Sequence, residues 1–331
     1  MYQVNQLESQ AIAVLCALIV FIFCLWSAQT RRPANTAPEP AGAWPIIGHL
    51  HLLGGAQLIY RILGSLADEY GPVFMVRLGM RRVLVISSAE AARECFTTND
   101  KVFATRPTSV AIKLLTYNHT MFGFAPYGPY WREIRKIATT ELLSERRLAM
   151  LKNVYISEIN LRINELHQLW MDKNSSRKVD HHPDFHNQNA DPILVEMNEW
   201  FGDLAFNVVA RMIAGKRYFG KSTNCEEKET RRYREALNDC MHLVGIFVVS
   251  DAVPFLGCLD FQGYQKRMKK TAKEIDYFLG KWVDEHRQYL KDKHLSEIDQ
   301  QDDFINVLLL NLNDQPIYGR DPDTIIKSTC L

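Results

Sequence analysis

The side chains best placed to do chemistry stand in one stretch, Phe124-Ala125-Pro126-Tyr127-Gly128-Pro129-Tyr130-Trp131-Arg132-Glu133-Ile134-Arg135-Lys136. Two prolines and a glycine break the chain, and a helix follows. Pro129 falls at or just before the first turn, where a missing N–H costs least. Trp131 and Arg135 then stand four residues apart on one helix face, with Arg132 and Lys136 as a second such pair rotated off the first. An indole N–H and a planar guanidinium both donate and neither accepts, so together they suit the carboxylates of a planar anion. An amphipathic surface helix, with its tryptophan in the core and its basic residues solvated, gives the same pattern. The rest of the chain has to decide.

Composition narrows the choice. The 331 residues are 47% hydrophobic and 23% charged, which suits one large or two small globular domains. A net charge of +1 gives no support to a nucleic-acid partner. The seven cysteines, Cys16, Cys24, Cys95, Cys225, Cys240, Cys258 and Cys330, are scattered and include no C-x-x-C pair. Neither a zinc site nor a disulfide framework is indicated, and a reducing compartment is the simpler reading.

The positioning elements follow in order. Ala11 to Ala28 is eighteen residues without a charge, near the length that spans the hydrocarbon core, and Arg31-Arg32 follow it. The positive-inside rule keeps the C-terminal side cytoplasmic, so the reading is a single-pass anchor over residues 1–30. A cleaved signal and a buried helix are the alternatives. Residues 31–50 form a proline-rich hinge whose end, Gly42 to His49, turns apolar and is expected to pack on the domain. Leu58 to Tyr70 reads as a helix. Val73–Leu78 and Val83–Ile86 read as a hairpin joined by Gly79-Met80-Arg81-Arg82, and Ser87 with Glu90 as a capping box. Lys101 to Phe124 has weak periodicity and reads as a loop, either a pocket wall or a plain connector.

Beyond Lys136 the pattern is helical. Leu148, Leu151, Tyr155, Ile159, Ile163, Leu166 and Trp170 repeat at helical spacing. Asn198–Ala214, Glu226 to about Phe247, a stripe from Phe261 through Val283, and Phe304–Leu312 follow, and Asp323 opens a last helical pattern that runs to Leu331. The histidines His181, His182 and His186 read as a solvated loop, since a metal site would need a frame and a fourth ligand. The two N-x-[ST] sequons, at Asn118 and Asn174, are expected to stay unmodified under this topology.

Taken together the chain resembles the N-terminal portion of a plant-type microsomal cytochrome P-450, a heme-thiolate monooxygenase. The resemblance rests on the anchor, Trp44-Pro45-Ile46-Ile47-Gly48, Tyr70-Gly71-Pro72-Val73-Phe74 and Trp131 to Lys136. Asn207-Val208-Val209-Ala210-Arg211-Met212, Gly215-Lys216-Arg217-Tyr218 and Asp251-Ala252-Val253-Pro254-Phe255-Leu256 add to it. It implies a mainly α fold with a small β-sheet behind a single transmembrane anchor helix, with residues 51–331 as the first part of the P-450 domain. It also implies heme, with NADPH acting only through a partner reductase, and a small lipophilic, specialised-metabolite substrate. The location would be the endoplasmic reticulum membrane, with the main domain cytoplasmic. Carried over residue by residue, Trp131 and Arg135 contact a heme propionate. Arg132 and Lys136 face the redox partner or simply solvent. Phe122, Phe124 and Phe247 are substrate-lining candidates or plain core.

The pattern then departs from the family. Asp323-Thr324 lacks the preceding glycine and so is not the oxygen-activating acid–alcohol pair. Glu90–Arg93 and Glu229–Arg232 match Glu-x-x-Arg only in letters, and no cysteine has the Phe-x-x-Gly-x-Arg-x-Cys surrounding that supplies the axial thiolate. No catalytic residue and no metal ligand is therefore expected in this chain, which is expected to be truncated before the oxygen-activating helix and inactive alone. The alternatives are a non-catalytic, membrane-anchored protein that binds a reductase or partner enzyme, and a chain with no stable function.

Overall fold

The computed structural model describes residues 14, 16, 17, 20, 21, 36–54, 57–177, 192–221, 223, 226–258, 260, 262–292, 303–312 and 315–331. Apart from five positions, the expected anchor at Ala11–Ala28 lies outside the described residues, as do His181, His182, His186 and Phe261. Among the described residues no helix is long and apolar enough to cross a membrane. The architecture is mainly helical with a two-stranded sheet, and it divides into two compact units: Met1–Val110 with Ile246–Gln265, and Ala111–Gly245 with Lys266–Leu331.

In the first unit, helix α1 (Ile59–Tyr70) leads into strands β1 (Val73–Leu78) and β2 (Arg81–Ile86), which pair antiparallel. The expected four-residue linker is shorter. Arg81 and Arg82 join the ladder opposite Leu78 and Arg77, and only Gly79-Met80 remains as the turn. Such a two-residue turn needs positive φ, and Gly79 supplies it at +65°. The end of the hinge lies along β1. The amide of Met75 donates to Pro38 O at 2.7 Å and that of His49 to Arg77 O at 2.7 Å. His49 is buried, its Nδ1 accepting from the Arg77 amide (2.9 Å) and its Nε2 donating to Pro40 O (3.0 Å). Glu39 and Arg77 form a buried ion pair beside it. The hinge packs through its backbone, as expected, while Trp44 stays 58% exposed.

Helix α2 (Ala89–Phe96) is capped by Ser88, whose Oγ accepts from the Ala91 amide at 3.2 Å, rather than by Ser87. Ser87 lies just past the end of β2, its amide donating to Pro72 O at 2.7 Å. The later segment of this unit docks on the hairpin turn. The Met80 amide donates to Ala252 O (2.8 Å), and Asp251 Oδ1 accepts from the Val110 amide (2.8 Å). A Cβ on Gly79 would stand 2.4 Å from Ala252 O, so glycine is required there by space as well as by φ.

Besides the single turns Leu50–Leu53, Asp100–Phe103 and Val249–Ala252 and the 3-10 helix Pro254–Cys258, the remaining helices among the described residues are α3 (Val110–Leu115), α4 (Pro129–Glu141), α5 (Glu145–Arg177), α6 (Met197–Ala214), α7 (Glu227–Val244), α8 (Tyr264–Asp292), α9 (Phe304–Leu312) and α10 (Pro322–Cys330). The expected loop over Lys101–Phe124 is corrected by α3, which buries Ala111, Ile112 and Leu115. Six residues are too few to show a 3.6-residue period. In the second unit α8 buries Met268, Ile275, Phe278, Leu279, Trp282 and Val283. Around Tyr233, the rings of Phe206, Tyr218, Phe278 and Trp282 pack with centroids 4.8 to 6.0 Å apart, and Trp282 Nε1 donates to Tyr218 Oη at 2.7 Å.

Helix α5 is rotated about a quarter-turn off its apolar period. Leu148, Tyr155, Ile159 and Ile163 are exposed, whereas Glu158, Arg162 and Glu165 are buried with Leu151. Paired charge explains the rotation. Glu158, 0% exposed, accepts from Arg217 Nε (2.9 and 3.0 Å), Arg211 Nη1 (3.0 Å) and Asn207 Nδ2 (2.8 Å). Arg217 also reaches Glu165 (3.1 Å), which accepts from Arg162 (3.0 Å) and the Lys221 amide (2.9 Å). Burial opposes ionisation of Glu165, but these donors, Arg217 foremost, hold its pKa below the usual carboxylate value. Asn207 Oδ1 accepts from the amides of Tyr218 and Phe219, both at 3.0 Å.

Two outcomes follow. Glu158→Ala leaves Arg217 buried without its main partner and should destabilise the second unit by about 3–5 kcal/mol, read in denaturant melts; a loss below about 1 kcal/mol would show the network to be ornamental. The second concerns His286, whose Nδ1 lies 2.6 Å from Trp282 O and whose Nε2 lies 2.8 Å from Asp303 Oδ2. Both partners accept, so the ring must carry two protons. Burial pulls its pKa down, but the Asp303 hydrogen bond and charge, with Trp282 O, outweigh this and raise it. A raised folded pKa means that the stabilisation is complete below the unfolded value of about 6.5 and is lost as pH rises through the folded value. Thermal melts between about pH 6 and about pH 9 should fall more steeply for the native chain than for His286→Gln.

Candidate cofactor-binding site

Helix α4 begins as its sequence dictates, with Gly128 at the N-cap and Pro129 at the first position. It buries Tyr130, Ile134 and Ala138, at i, i+4 and i+8. Tyr130 is the anchor of this face. Its hydroxyl donates to Thr120 O at 2.6 Å, and the Arg320 guanidinium lies 4.3 Å over its ring while Arg320 Nη1 donates to Thr120 Oγ1 at 2.5 Å. Burial pushes the Tyr130 phenol up to about 12, with Arg320 opposing, so it stays a donor. Thr120 ends a turn in which Tyr117, Asn118 and His119 take φ of +52°, +52° and +62°. Left-handed backbone of this kind costs roughly 1–2 kcal/mol per non-glycine residue. The clasp of Tyr130 and Arg320 on Thr120 offsets that cost. The same clasp buries the sequon threonine, 3% exposed, beneath Asn118.

One position around from the buried stripe stand Trp131, half-buried, and Arg135, exposed. The Arg135 guanidinium lies 4.9 Å from the centroid of the Trp131 ring, and the Trp131 ring lies 5.4 Å from that of Tyr127, over which Arg132 sits at 5.8 Å. Sequence spacing placed Trp131 and Arg135 on one face, and the structure brings them into contact. Among the described residues no carboxylate pairs with Arg135. A stacked guanidinium with its five donors uncommitted fits a carboxylate such as a heme propionate. Arg132 and Lys136 are exposed beside it.

Phe122 and Phe124, both half-buried, lie in the chain that feeds α4. Phe247 belongs to the other unit and is 51% exposed. The clasp residues Thr120 and Arg320 were missed by sequence reasoning. Their only signal was Asn118, a residue type that tolerates the left-handed region. Two of the described cysteines, Cys240 and Cys330, are buried and poorly suited to act as a thiolate ligand. Burial pushes the Cys240 thiol up to about 11 and that of Cys330 higher still, and Cys330 is held inside α10. Such thiols resist the deprotonation that a metal ligand needs. Among the described residues no group of three or more His, Cys, Asp or Glu side chains could hold a metal ion.

The family model described as Cytochrome P450 matches residues 38–323. Strychnine-10-hydroxylase of Strychnos nux-vomica is 41% identical over 98% of this chain and 60% of its own length. A xanthotoxin 5-hydroxylase of Arabidopsis thaliana is 44% identical over 98% of this chain and 60% of its own. Demethylepipodophyllotoxin synthase of Sinopodophyllum hexandrum is 43% identical over 98% and 59%. The chain thus spans about three-fifths of the length of the curated relatives it matches. A zebra fish cytochrome P450 solved with progesterone shares the fold at a TM-score of 0.57 and 18% identity, over 82% of this chain and 55% of its own. With the family model covering most of its length and relatives above 40% identity, this chain belongs to the cytochrome P450 family.

Proposed function

We propose that residues 1–331 are the N-terminal portion of a heme-dependent monooxygenase that hydroxylates a small lipophilic plant metabolite. Family membership implies heme iron and NADPH supplied through a reductase partner. When bound, heme supplies the splitting of O₂ and the insertion of one oxygen atom into substrate. What this chain contributes is a propionate clamp. Trp131 and Arg135 orient the cofactor's carboxylate, and Tyr130, locked on Thr120, fixes the helix that carries them. The uncommitted guanidinium of Arg135 stacked on Trp131 is the observation that carries this reading. Two relatives, a strychnine and a xanthotoxin hydroxylase, support the substrate class.

On this reading residues 1–331 by themselves lack the axial thiolate and do not turn over. The outward apolar stripe of α5, Leu148, Tyr155, Ile159 and Ile163, supports a scaffold that is completed by further chain. The second reading, a non-catalytic anchored protein that binds a reductase, draws on the exposed Arg132 and Lys136. We place the domain on the cytoplasmic face of the endoplasmic reticulum, held by the apolar run Ala11–Ala28.

The test is a reduced, carbon-monoxide-bound spectrum, taken on residues 1–331 and on a chimera continued by the C-terminal part of a relative named above. The chimera should give a thiolate-type Soret band and the bare chain none. Arg135→Ala in the chimera removes a charge-assisted pair of about 1.5–3 kcal/mol and should lower heme retention about tenfold or more. A thiolate band from the bare chain, or full retention in Arg135→Ala, overturns the reading. For the anchor, alkaline carbonate extraction of microsomes should leave the full chain in the pellet and release a chain lacking residues 1–30; release of both sinks it.

A further inference from the structure

The first three turns of α8 carry Lys266, Arg267, Lys269, Lys270 and Lys273 and no acid before Glu274. The lysines sit at i, i+3, i+4 and i+7, so they share one face, and all four are exposed. Met268, Thr271 and Ile275 on the opposite side are buried and hold the helix in place. The arrangement works against the helix, because like charges repel across i,i+4 and cations at an N-terminus oppose the macrodipole.

Nearby cations show what an ordinary solvated face does here. Arg267 turns to Asp239 at 2.5 Å, Arg232 to Glu274 at 2.5 Å, Lys281 to Glu229 at 2.8 Å and Arg231 to Glu227 at 3.0 Å. Lys269, Lys270 and Lys273 make no ion pair among the described residues. Lys270 borders the groove that holds Asp239 and Glu274, and both of those acids are already taken by arginines.

From this contrast we propose that the lysine face of α8 binds an anionic phospholipid surface. Residue type decides between lipid and protein. Protein interfaces favour arginine and are depleted in lysine, whereas flexible lysine point charges suit mobile headgroup phosphates. The one arginine of the run is committed to Asp239 and does not join the face. The proposal rests on these side chains alone and is independent of the anchor at Ala11–Ala28 and of the heme reading.

The test is flotation of the full chain with phosphatidylcholine vesicles, with and without phosphatidylserine. An apolar anchor partitions into both, so the ratio of anionic to neutral binding isolates the charge effect. With about 1 kcal/mol per lysine near an anionic surface, replacing Lys266, Lys269, Lys270 and Lys273 by Gln should lower that ratio about tenfold or more. Replacing all four by Arg should keep it, and high salt should abolish it. Circular dichroism of each variant checks that α8 still folds. A native ratio near one, or a ratio unchanged in the Gln variant, overturns the proposal.

Discussion

A single carboxylate, that of Glu158, sits where solvent does not reach and is made tolerable by three donors from one other stretch of chain. An ion in that position is several kcal/mol unfavourable unless each lone pair is met. Asn207 and Arg211 come from α6, and Arg217 from the loop that α6 feeds. Satisfying Glu158 therefore fixes α5, α6 and that loop against one another. The loop in turn sets Tyr218, whose hydroxyl receives the Trp282 indole and so reaches α8. The segments Asn207 to Met212 and Gly215 to Tyr218, which carried part of the family resemblance, are thus the two arms of one hydrogen-bonding cradle.

The cradle accounts for the orientation of α5. A helix normally turns its apolar period inward. Here Glu158, Arg162 and Glu165 are drawn in by Arg217, Arg211 and Asp203, and the apolar residues between them are left outside. Directional pairing among buried charges outweighs the non-directional preference of isoleucine and leucine for the interior. Specificity of packing, rather than gross stability, is what such a network supplies best.

Much of the scaffold was legible in the chain. Gly128-Pro129 announced α4, Gly215 ended α6, and the stripe from Met268 to Val283 marked the buried side of α8. The spacing of Trp131 and Arg135 gave the candidate clamp. Other features were not legible, for definite reasons. Glu158 and Glu165 look like solvated charges because Asn207 and Arg217, which bring them inside, lie about fifty residues away. Helix α3 is shorter than two turns. The left-handed run at Tyr117 to His119 contains no glycine, and the clasp that sustains it comes from Arg320, two hundred residues later. Local pattern reports local structure, and these features are settled by contacts distant in sequence.

The docking of Asp251-Ala252 on the hairpin turn bears on how the protein is made. The amide of Val110 finds its acceptor on Asp251, 141 residues further along. At about 5–20 residues per second, a ribosome needs roughly 7–28 s to synthesise that interval. Throughout that time the turn at Gly79-Met80 and the start of α3 are out of the ribosome without their partners. Folding of the first unit is therefore gated by translation, because the hairpin turn meets its partner only once residue 252 has emerged.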